Sequence, residues 1–291
     1  MAEQWTIGFV GAGVMAEVMI AGLLDEGVVE PARVLASNRR PMRGEELCAR
    51  YGIRTTTDNA VVAAEADVVV LSVKPQTLPR VLQELKGKVK EDATVLSIVA
   101  GARTSVLQRG LSHERVARCM PNLPCRIRQG MTVWAAPEDT PDGHVERIEA
   151  VLAVMGEAIR VSDEGHVDRA TAVNGTGPAI VAQFVKAMLE AAAYIGESRE
   201  VAKQTVLSTL TGTAQMIRDS DVHVAELIDE VTSPGGTTSR ALQVLKQGRF
   251  SAVLTESVDA AYQRTLELGE ALEAKLDKLD KLDKLDSGPA S

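Results

Sequence analysis

Short, uninterrupted aliphatic runs alternate with longer helical segments over the first 162 residues of the chain. The predicted strands cover residues 6–10, 33–37, 67–73, 94–98 and 116–120. Strands that lack polar alternation are typical of sheets covered on both faces, and helices between them allow parallel pairing. The pattern therefore predicts an α/β domain over residues 1–162, built on a doubly wound parallel sheet.

Helical spacing replaces the strand pattern after residue 162. The predicted helices cover residues 164–173, 178–195, 200–219 and 238–246, and a last one runs from 251 past 272. Their Ala, Val and Leu faces are longer than a small monomeric bundle would bury, so we expect them to pack between subunits. This half is predicted to be an all-α dimerisation domain over residues 163–275, in a homodimer at least.

Lys-Leu-Asp triplets fill much of the predicted C-terminal tail, residues 276–291. Leucines at every third position drift around a helix and form no single apolar face. Charge pairs four residues apart, such as Asp277 with Lys281, still favour a helix. We expect a low-complexity, solvated helical extension.

The charge balance and the few cysteines and histidines exclude several kinds of protein. With 32 basic and 40 acidic residues among 291, the formal net charge is −8. Proteins that follow nucleic-acid phosphates usually have the opposite sign, so we expect no nucleic-acid partner. The three cysteines form no C-x-x-C pair, which fits a reducing compartment. The four histidines show no metal-ligand spacing, and no metal site is predicted.

One apolar stretch, residues 7–24, resembles a membrane segment in composition. It contains Glu17 and several glycines, however, and it lacks the basic region that begins a signal peptide. A buried strand that leads through glycines into a buried helix accounts for the same residues. We therefore expect no membrane partner and a cytoplasmic location.

The sequence from Gly11 to Ala16 matches G-x-G-x-x-[G/A] between the first predicted strand and the first predicted helix. Gly11 permits a tight turn, and Gly13 lets a pyrophosphate approach the backbone at the positive end of the helix. Val14 and Met15, in the first helical turn, are assigned to the same site. The motif also occurs in plain tight turns, but its strand–turn–helix context favours dinucleotide binding.

The end of the second predicted strand indicates which dinucleotide binds. Sites for NAD usually place an acidic residue there for the ribose 2′-hydroxyl. This chain has Ser37, Asn38, Arg39 and Arg40 instead, and guanidinium groups suit a 2′-phosphate. We predict NADPH as the cofactor, with NADH as the alternative; one or both arginines could instead be ordinary surface charge.

Val73, Lys74 and Pro75 follow the predicted strand 67–73 at its carboxyl end, which faces ligands in such sheets. The proline directs the chain away from the sheet and leaves Lys74 within reach of a cofactor phosphate or ribose. The alternative is a loop lysine in solvent. We assign all three residues to the cofactor site.

Two glycine-containing segments stand out in the helical half. The first runs from Asn174 to Pro178 and indicates a close backbone approach before a helix; Asn174 is assigned to the cofactor site. The second contains Ser233, Gly235, Gly236, Thr237 and Thr238. It combines an irregular turn, a helix start and several hydroxyl groups, which together suit an anion. A plain capped helix start would use the same residue types.

Five segments occur in order at suitable distances: residues 7–16, 73–76, 120–122, 175–179 and 231–238. Through them the sequence resembles the pyrroline-5-carboxylate reductase family over nearly all of residues 5–270. The last segment, Val-Thr-Ser-Pro-Gly-Gly-Thr-Thr, is the signature region of the family and the most specific of the five.

The resemblance implies NAD(P)H-dependent reduction of the cyclic imine 1-pyrroline-5-carboxylate to L-proline. It also implies an N-terminal Rossmann domain, a helical dimerisation domain and often a ring of dimers. By matching positions, Thr238 would hydrogen-bond the substrate nitrogen, and the segment from Ser233 to Thr238 would hold the substrate carboxylate. Asp221 falls where family members often have an active-site glutamate, so Thr238 and Asp221 are the predicted catalytic residues.

Departures from the family pattern leave other functions open. Ile180 and Leu123 replace the usual tyrosine and threonine, so a related cyclic imino acid is an alternative substrate. A β-hydroxyacid dehydrogenase would need a lysine where this chain has Val181, and Lys186 lies five residues away. A non-catalytic NADP-binding regulatory paralogue is a further alternative. The intact segment around Thr238 argues against that last possibility.

Overall fold

The computed structural model of the chain describes residues 5–286. One sheet is formed by β1 (Ile7–Val10), β2 (Val34–Ser37), β3 (Arg54–Thr56), β4 (Val68–Leu71), β5 (Thr94–Ser97), β6 (Val116–Met120), β7 (Gly130–Ala135) and β8 (Gly156–Arg160). The strand order is β3-β2-β1-β4-β5-β6-β7-β8, with a reversal at β1 that separates two wings. This is the predicted doubly wound Rossmann arrangement, and it is confirmed.

The prediction of parallel pairing is confirmed for β1 to β6. The strands at the other edge, β7 and β8, were not predicted. Strand β7 pairs antiparallel with β6, and β8 pairs parallel with β7. The connection from β6 to β7 contains only a short 3₁₀ helix, Leu123–Ile127. A connection without a crossover helix joins neighbouring strands in antiparallel fashion, which explains the reversal.

Helices cover both faces of this sheet. The first seven are α1 (Val14–Asp25), α2 (Pro41–Tyr51), α3 (Asn59–Glu65), α4 (Leu78–Leu85), α5 (Thr104–Leu111), α6 (Asp142–Ala153) and α7 (Gly165–Ala170). Neighbouring strand residues contribute to different cores: Phe9 packs in a cluster with α1 and α6, and Val10 packs in a second cluster with α3, α4 and α5. Two buried faces explain why the strands are apolar throughout.

The remaining helices are α8 (Gly177–Tyr194), α9 (Arg199–Asp219), α10 (Val224–Glu230), α11 (Thr237–Gln247) and α12 (Phe250–Asp286). The chain forms two compact units, one with the residues up to 176 and those from 261 onward, the other with residues 177–260. The predicted boundary between 162 and 163 falls inside the first unit, since α7 packs against β6 and β7.

None of the helices among residues 5–286 has the length and apolar character needed to cross a bilayer.

The second half of α12 belongs to the first unit. The expectation of a solvated tail is wrong where the tail begins, at Leu276. Leu272 and Leu276 are buried in the core cluster of α4 and α5. Arg109 on α5 pairs with Asp277 at 2.7 Å. Burial fades along the helix, and Leu282 is 56% exposed. Leu272 precedes the repeat and Leu276 is its first leucine; the two lie one turn apart on the helix and attach it to the sheet domain.

A buried ion-pair network joins β6 to α7. Arg118 is 2% exposed and donates from Nη1 to Glu164 Oε2 at 2.9 Å and from Nη2 to Asp168 Oδ1 at 2.6 Å. Glu164 also accepts from the amide and hydroxyl of Thr104. Burial acts to raise the pKa of Glu164, but Thr104 and Arg118 outweigh it, and the pKa lies below its ordinary value. The network therefore stabilises the charged form of Glu164 in the folded state.

Candidate functional site

The loop between β1 and α1 carries the predicted glycine motif. Gly11 has a φ of +94°, and a Cβ there would lie 2.8 Å from Val73 Cγ1 and 3.0 Å from the Ser72 carbonyl oxygen. Gly13 is the N-cap residue of α1, and a Cβ there would meet no atom within 4 Å. Gly11 is thus required by the conformation of the loop, whereas Gly13 leaves the space in front of the helix open.

A cavity of about 520 Å³ opens beside this loop at the carboxyl ends of β1, β2 and β4. Its lining comes from separate stretches of sequence: Gly11, Ala12, Gly13, Ser37, Asn38, Arg39, Arg40, Asn59, Ser72, Val73, Lys74, Thr77 and Val81. The carboxyl edge near a reversal of strand order is where doubly wound sheets bind ligands. The structure therefore brings together most of the residues predicted to bind the cofactor.

The cavity has a cationic rim and no carboxylate in its lining. Arg39, Arg40 and Lys74 are exposed, and none has an ion-pair partner among residues 5–286. The pairs nearby involve Arg43 and Arg50 instead. Unpaired guanidinium groups at the end of β2 are available to a phosphate, as the sequence predicts.

Ser37 is buried beneath the glycine loop. Its hydroxyl lies 2.6 Å from Asn59 Oδ1, to which it donates, and its carbonyl accepts from the Gly11 amide at 3.2 Å. Asn59 in turn donates to Glu84 at 3.0 Å. Sequence reasoning missed Asn59, because it follows the short strand β3, which the apolar pattern does not reveal. The cap that Asp58 provides to α3 was the only local signal.

Four other residues assigned to the cofactor do not line this cavity: Val14, Met15, Pro75 and Asn174. Val14 is exposed in the first turn of α1, and Met15 packs against the core. Their part in binding stays a prediction.

Asn174 lies in a π-helical turn, Thr171–Gly175, between α7 and α8. Its side chain donates to the carbonyl oxygens of Met120 at 3.2 Å and Met131 at 2.8 Å, and it accepts from Asn122 at 2.7 Å. Asn122 also accepts from the Met131 amide at 3.1 Å. The two asparagines fix the point where the chain reverses between β6 and β7. The motif Met-Pro-Asn was recognised in the sequence, but its partner in the π turn was not.

The predicted substrate residues form a tight corner before α11, in the second unit. Gly235 has a φ of +73°, and the Gly236 amide donates to the Ser233 carbonyl at 3.0 Å. Helix α11 then begins at Thr237, with Gly236 as its N-cap. The hydroxyls of Ser233, Thr237 and Thr238 have no hydrogen-bond partner among residues 5–286. Together with the unpaired amides of a first helical turn, they suit a carboxylate.

Asp221, the other predicted catalytic residue, lies in the connection between α9 and α10. Its side chain is exposed and has no ion-pair partner in the part of the chain that the structure describes. The carboxylate is therefore available to a cationic ligand. Its assignment to the site stays a prediction.

Comparisons with known proteins identify the family to which the sequence and the fold are similar. Residues 164–268 match a sequence model described as pyrroline-5-carboxylate reductase dimerisation, and residues 6–101 match one described as NADP oxidoreductase, coenzyme F420-dependent. The chain is 39% identical to pyrroline-5-carboxylate reductase of Pseudomonas aeruginosa over 267 residues, which are 91% of this chain and 97% of that relative.

Solved structures of similar proteins have the same fold. A pyrroline-5-carboxylate reductase from Coxiella burnetii superposes with a TM-score of 0.81 at 33% identity, covering 91% of this chain and 99% of that one. The Plasmodium falciparum pyrroline carboxylate reductase, crystallised with NADP, gives 0.84 at 25% identity, covering 92% and 100%. From its sequence and its fold, the chain belongs to the pyrroline-5-carboxylate reductase family.

Proposed function

We propose that this protein reduces the C=N bond of 1-pyrroline-5-carboxylate to give L-proline, with NADPH as the electron donor. The observation that carries the proposal is the cationic cavity beside the glycine loop, in a chain 39% identical over 91% of its length to an enzyme of that name. The open space at Gly13 fits a pyrophosphate, and the unpaired Arg39 and Arg40 fit a 2′-phosphate.

The residues of the second unit suit an imino acid. When bound, the reduced nicotinamide supplies a hydride to the imine carbon, and the π electrons of the C=N bond become the lone pair of the product nitrogen. Thr238 would hydrogen-bond that nitrogen, and Asp221 would favour its protonated form. The corner from Ser233 to Thr238 would fix the carboxylate. Most of the rate would then come from orientation.

The purified protein tests the proposal directly. NADPH or NADH is mixed with 1-pyrroline-5-carboxylate or with its six-membered homologue, and loss of the near-ultraviolet absorbance of the reduced coenzyme is followed. We expect the fastest turnover with NADPH and the five-membered ring. Faster turnover of the six-membered ring would assign a different substrate, and coenzyme binding without oxidation of either kind would contradict an enzymatic role.

Replacing Thr238 by alanine is expected to lower kcat/KM by about ten- to a hundredfold, the loss of one hydrogen bond to a charged group. Thr238→Ser keeps the hydroxyl and should retain most of the activity, whereas Thr238→Val keeps the shape and should behave like alanine. Steady-state kinetics with both substrates varied gives the values. Full activity in Thr238→Val would remove this hydroxyl from the mechanism.

The double variant Arg39→Ala with Arg40→Ala is expected to raise the KM for NADPH by about ten- to a hundredfold, because charged hydrogen bonds to the 2′-phosphate are lost. The KM for NADH should change less than about twofold, since NADH lacks that group. Arg54→Ala with Arg264→Ala makes the same change of net charge at two surface ion pairs and serves as the control. An equal loss with both coenzymes would place the 2′-phosphate elsewhere.

A second copy of the chain is the partner that the second unit supports. An apolar depression of about 700 Å³ is lined by residues of α8, α9 and α12. Phe184 and Leu254 in its lining are large apolar side chains that are partly exposed in the single chain. Exposed apolar surface of this kind marks an interface. We place at least a homodimer there; a monomeric mass in solution at micromolar concentration would contradict it.

A cytoplasmic location belongs to the same proposal. Cys48, Cys119 and Cys125 are all free, and the last two are buried. Free thiols fit a reducing compartment.

A further inference from the structure

Arg43 lies on α2, outside the lining of the cavity, yet it contacts the glycine loop directly. Its Nε donates to the carbonyl oxygen of Ala12 at 3.2 Å. Asn38 donates to the same oxygen at the longer distance of 3.4 Å. The Arg43 side chain is 23% exposed, so the contact is shielded from solvent. One side chain from α2 and one that follows β2 therefore hold the Ala12 carbonyl in place.

This contact fixes a peptide plane that belongs to the binding loop. The described chain has no cis peptide bond, and in a trans peptide the C=O and the following N–H point in opposite directions. Holding the Ala12 carbonyl toward Arg43 therefore directs the Gly13 amide away from Arg43. Ser72 holds the other side of the loop, where it bonds the carbonyls of Val10 and Gly11. The Ala12–Gly13 plane depends on Arg43 and Asn38.

Arg43 is itself held by a carboxylate. Glu17, in the first turn of α1, accepts from Arg43 Nη2, from Arg50 Nη1 at 2.7 Å and from the Tyr51 hydroxyl at 3.2 Å. Burial acts to raise the pKa of Glu17, but the contacts with Arg43, Tyr51 and Arg50 outweigh it. The pKa therefore lies below its ordinary value, and the carboxylate is charged. A negative charge at a helix N-terminus would disfavour a bound anion, and the two arginines compensate for it.

We propose that Arg43 is a positioning residue for the dinucleotide, acting through the Ala12–Gly13 peptide and without touching the ligand. The inference rests on the proposed use of NADPH. Because the glycine loop faces the pyrophosphate, which NADPH and NADH share, Arg43 affects both coenzymes equally. Arg39 and Arg40 differ in this respect, since they discriminate between the two.

Two variants and a matched control test this role. Arg43→Ala removes the whole contact, and Arg43→Lys keeps the charge and the apolar stem but lacks the fork that reaches Ala12 and Glu17 together. Arg54→Lys is the control, because Arg54 also pairs with a carboxylate, Glu65 at 2.6 Å, but lies at the amino end of β3, whereas the cavity lies at the carboxyl ends of the strands. The dissociation constants of NADPH and NADH are measured by nicotinamide fluorescence, without any imine present.

We expect Arg43→Ala and Arg43→Lys to weaken both coenzymes by a similar factor of about ten, the loss of a charge-assisted hydrogen bond. kcat at saturating coenzyme should stay within about twofold, and Arg54→Lys should match the wild type. Unchanged affinity, a loss confined to NADPH, or full recovery by lysine would each overturn the proposal.

The binding measurement separates this inference from the proposed reaction. Wild-type protein that binds NADPH but reduces neither imine would contradict the reaction and leave the test of Arg43 intact. Wild-type protein that binds neither coenzyme would overturn both. A melting temperature is recorded for each variant; if Arg43→Ala does not fold, the comparison of Arg43→Lys with Arg54→Lys decides.

Discussion

Replacing Gly13 by alanine is expected to weaken NADPH binding by about ten- to a hundredfold while the free protein stays folded. A Cβ at Gly13 meets no atom within 4 Å, so the free protein has room for it. The same methyl group would occupy the space that the pyrophosphate needs. Overpacking of that kind costs about 1–3 kcal/mol, and each 1.4 kcal/mol is about a tenfold change in affinity. The unfolding free energy should fall by less than about 1 kcal/mol, the cost of a poorer N-cap.

Gly11→Ala gives the informative contrast. Its Cβ would press on Val73 and on the Ser72 carbonyl, and the φ of +94° disfavours any side chain. This variant should lose both affinity and stability. Gly143→Ala, in the first turn of α6 with nothing within 4 Å, should leave the affinity unchanged and should not lower the stability. Fluorescence titration with NADPH and denaturant unfolding of the free protein measure the two effects; a Gly13→Ala protein that binds NADPH normally would exclude the loop as the pyrophosphate site.

Removing Asp168 is expected to have the largest effect on stability. Asp168→Ala leaves Arg118, 2% exposed, with Glu164 as its one carboxylate partner among the described residues. Deleting one partner of a buried ion pair costs about 3–5 kcal/mol when the remaining charge has no other partner. Glu164 still pairs with Arg118 at 2.9 Å, so we expect a loss near the lower end of that range. Urea unfolding at a fixed protein concentration measures the loss, since any assembly of subunits would contribute to stability.

Two further variants identify the cause. Asp139→Ala, in an exposed loop, should change the unfolding free energy by less than about 0.5 kcal/mol. Arg118→Met combined with Asp168→Leu removes both charges of the Arg118–Asp168 pair, while Glu164 keeps its hydrogen bonds from Thr104. This variant should recover part of the loss, as apolar replacements of buried pairs do. If Asp168→Ala costs no more than Asp139→Ala, the network is not a source of stability.

The sequence predicted the elements whose signal is local. Strands β1, β2, β4, β5 and β6 lie within one or two residues of their predicted bounds, because each is buried on both faces and apolar throughout. Strand β3 has only three residues, all polar, and β8 is largely exposed. Such edge strands form because a neighbour offers hydrogen bonds, so their own composition carries little information.

The glycine loop and the residues after each strand were predictable for a related reason: a turn at a strand end needs particular residue types. Contacts between distant positions were not. Asn122 with Asn174, and Arg43 with Ala12, pair across 52 and 31 residues. Nothing in the local composition distinguishes these side chains from surface polar groups. The attachment of Leu276 was missed because the repeat suggested solvent on every side.

Arg39 and Arg40 are exposed at the rim of the cavity. Under the proposed role of these residues, the preference for NADPH over NADH would depend on the ionic strength of the solution as well as on the protein. Counterions screen solvent-accessible charges over a Debye length of about 8 Å at physiological ionic strength, and over a longer range in dilute buffer. The attraction of two open guanidinium groups for a 2′-phosphate therefore declines as salt is added, while the backbone amides of the glycine loop are affected less. A preference measured at low ionic strength would overstate the selectivity that operates inside a cell.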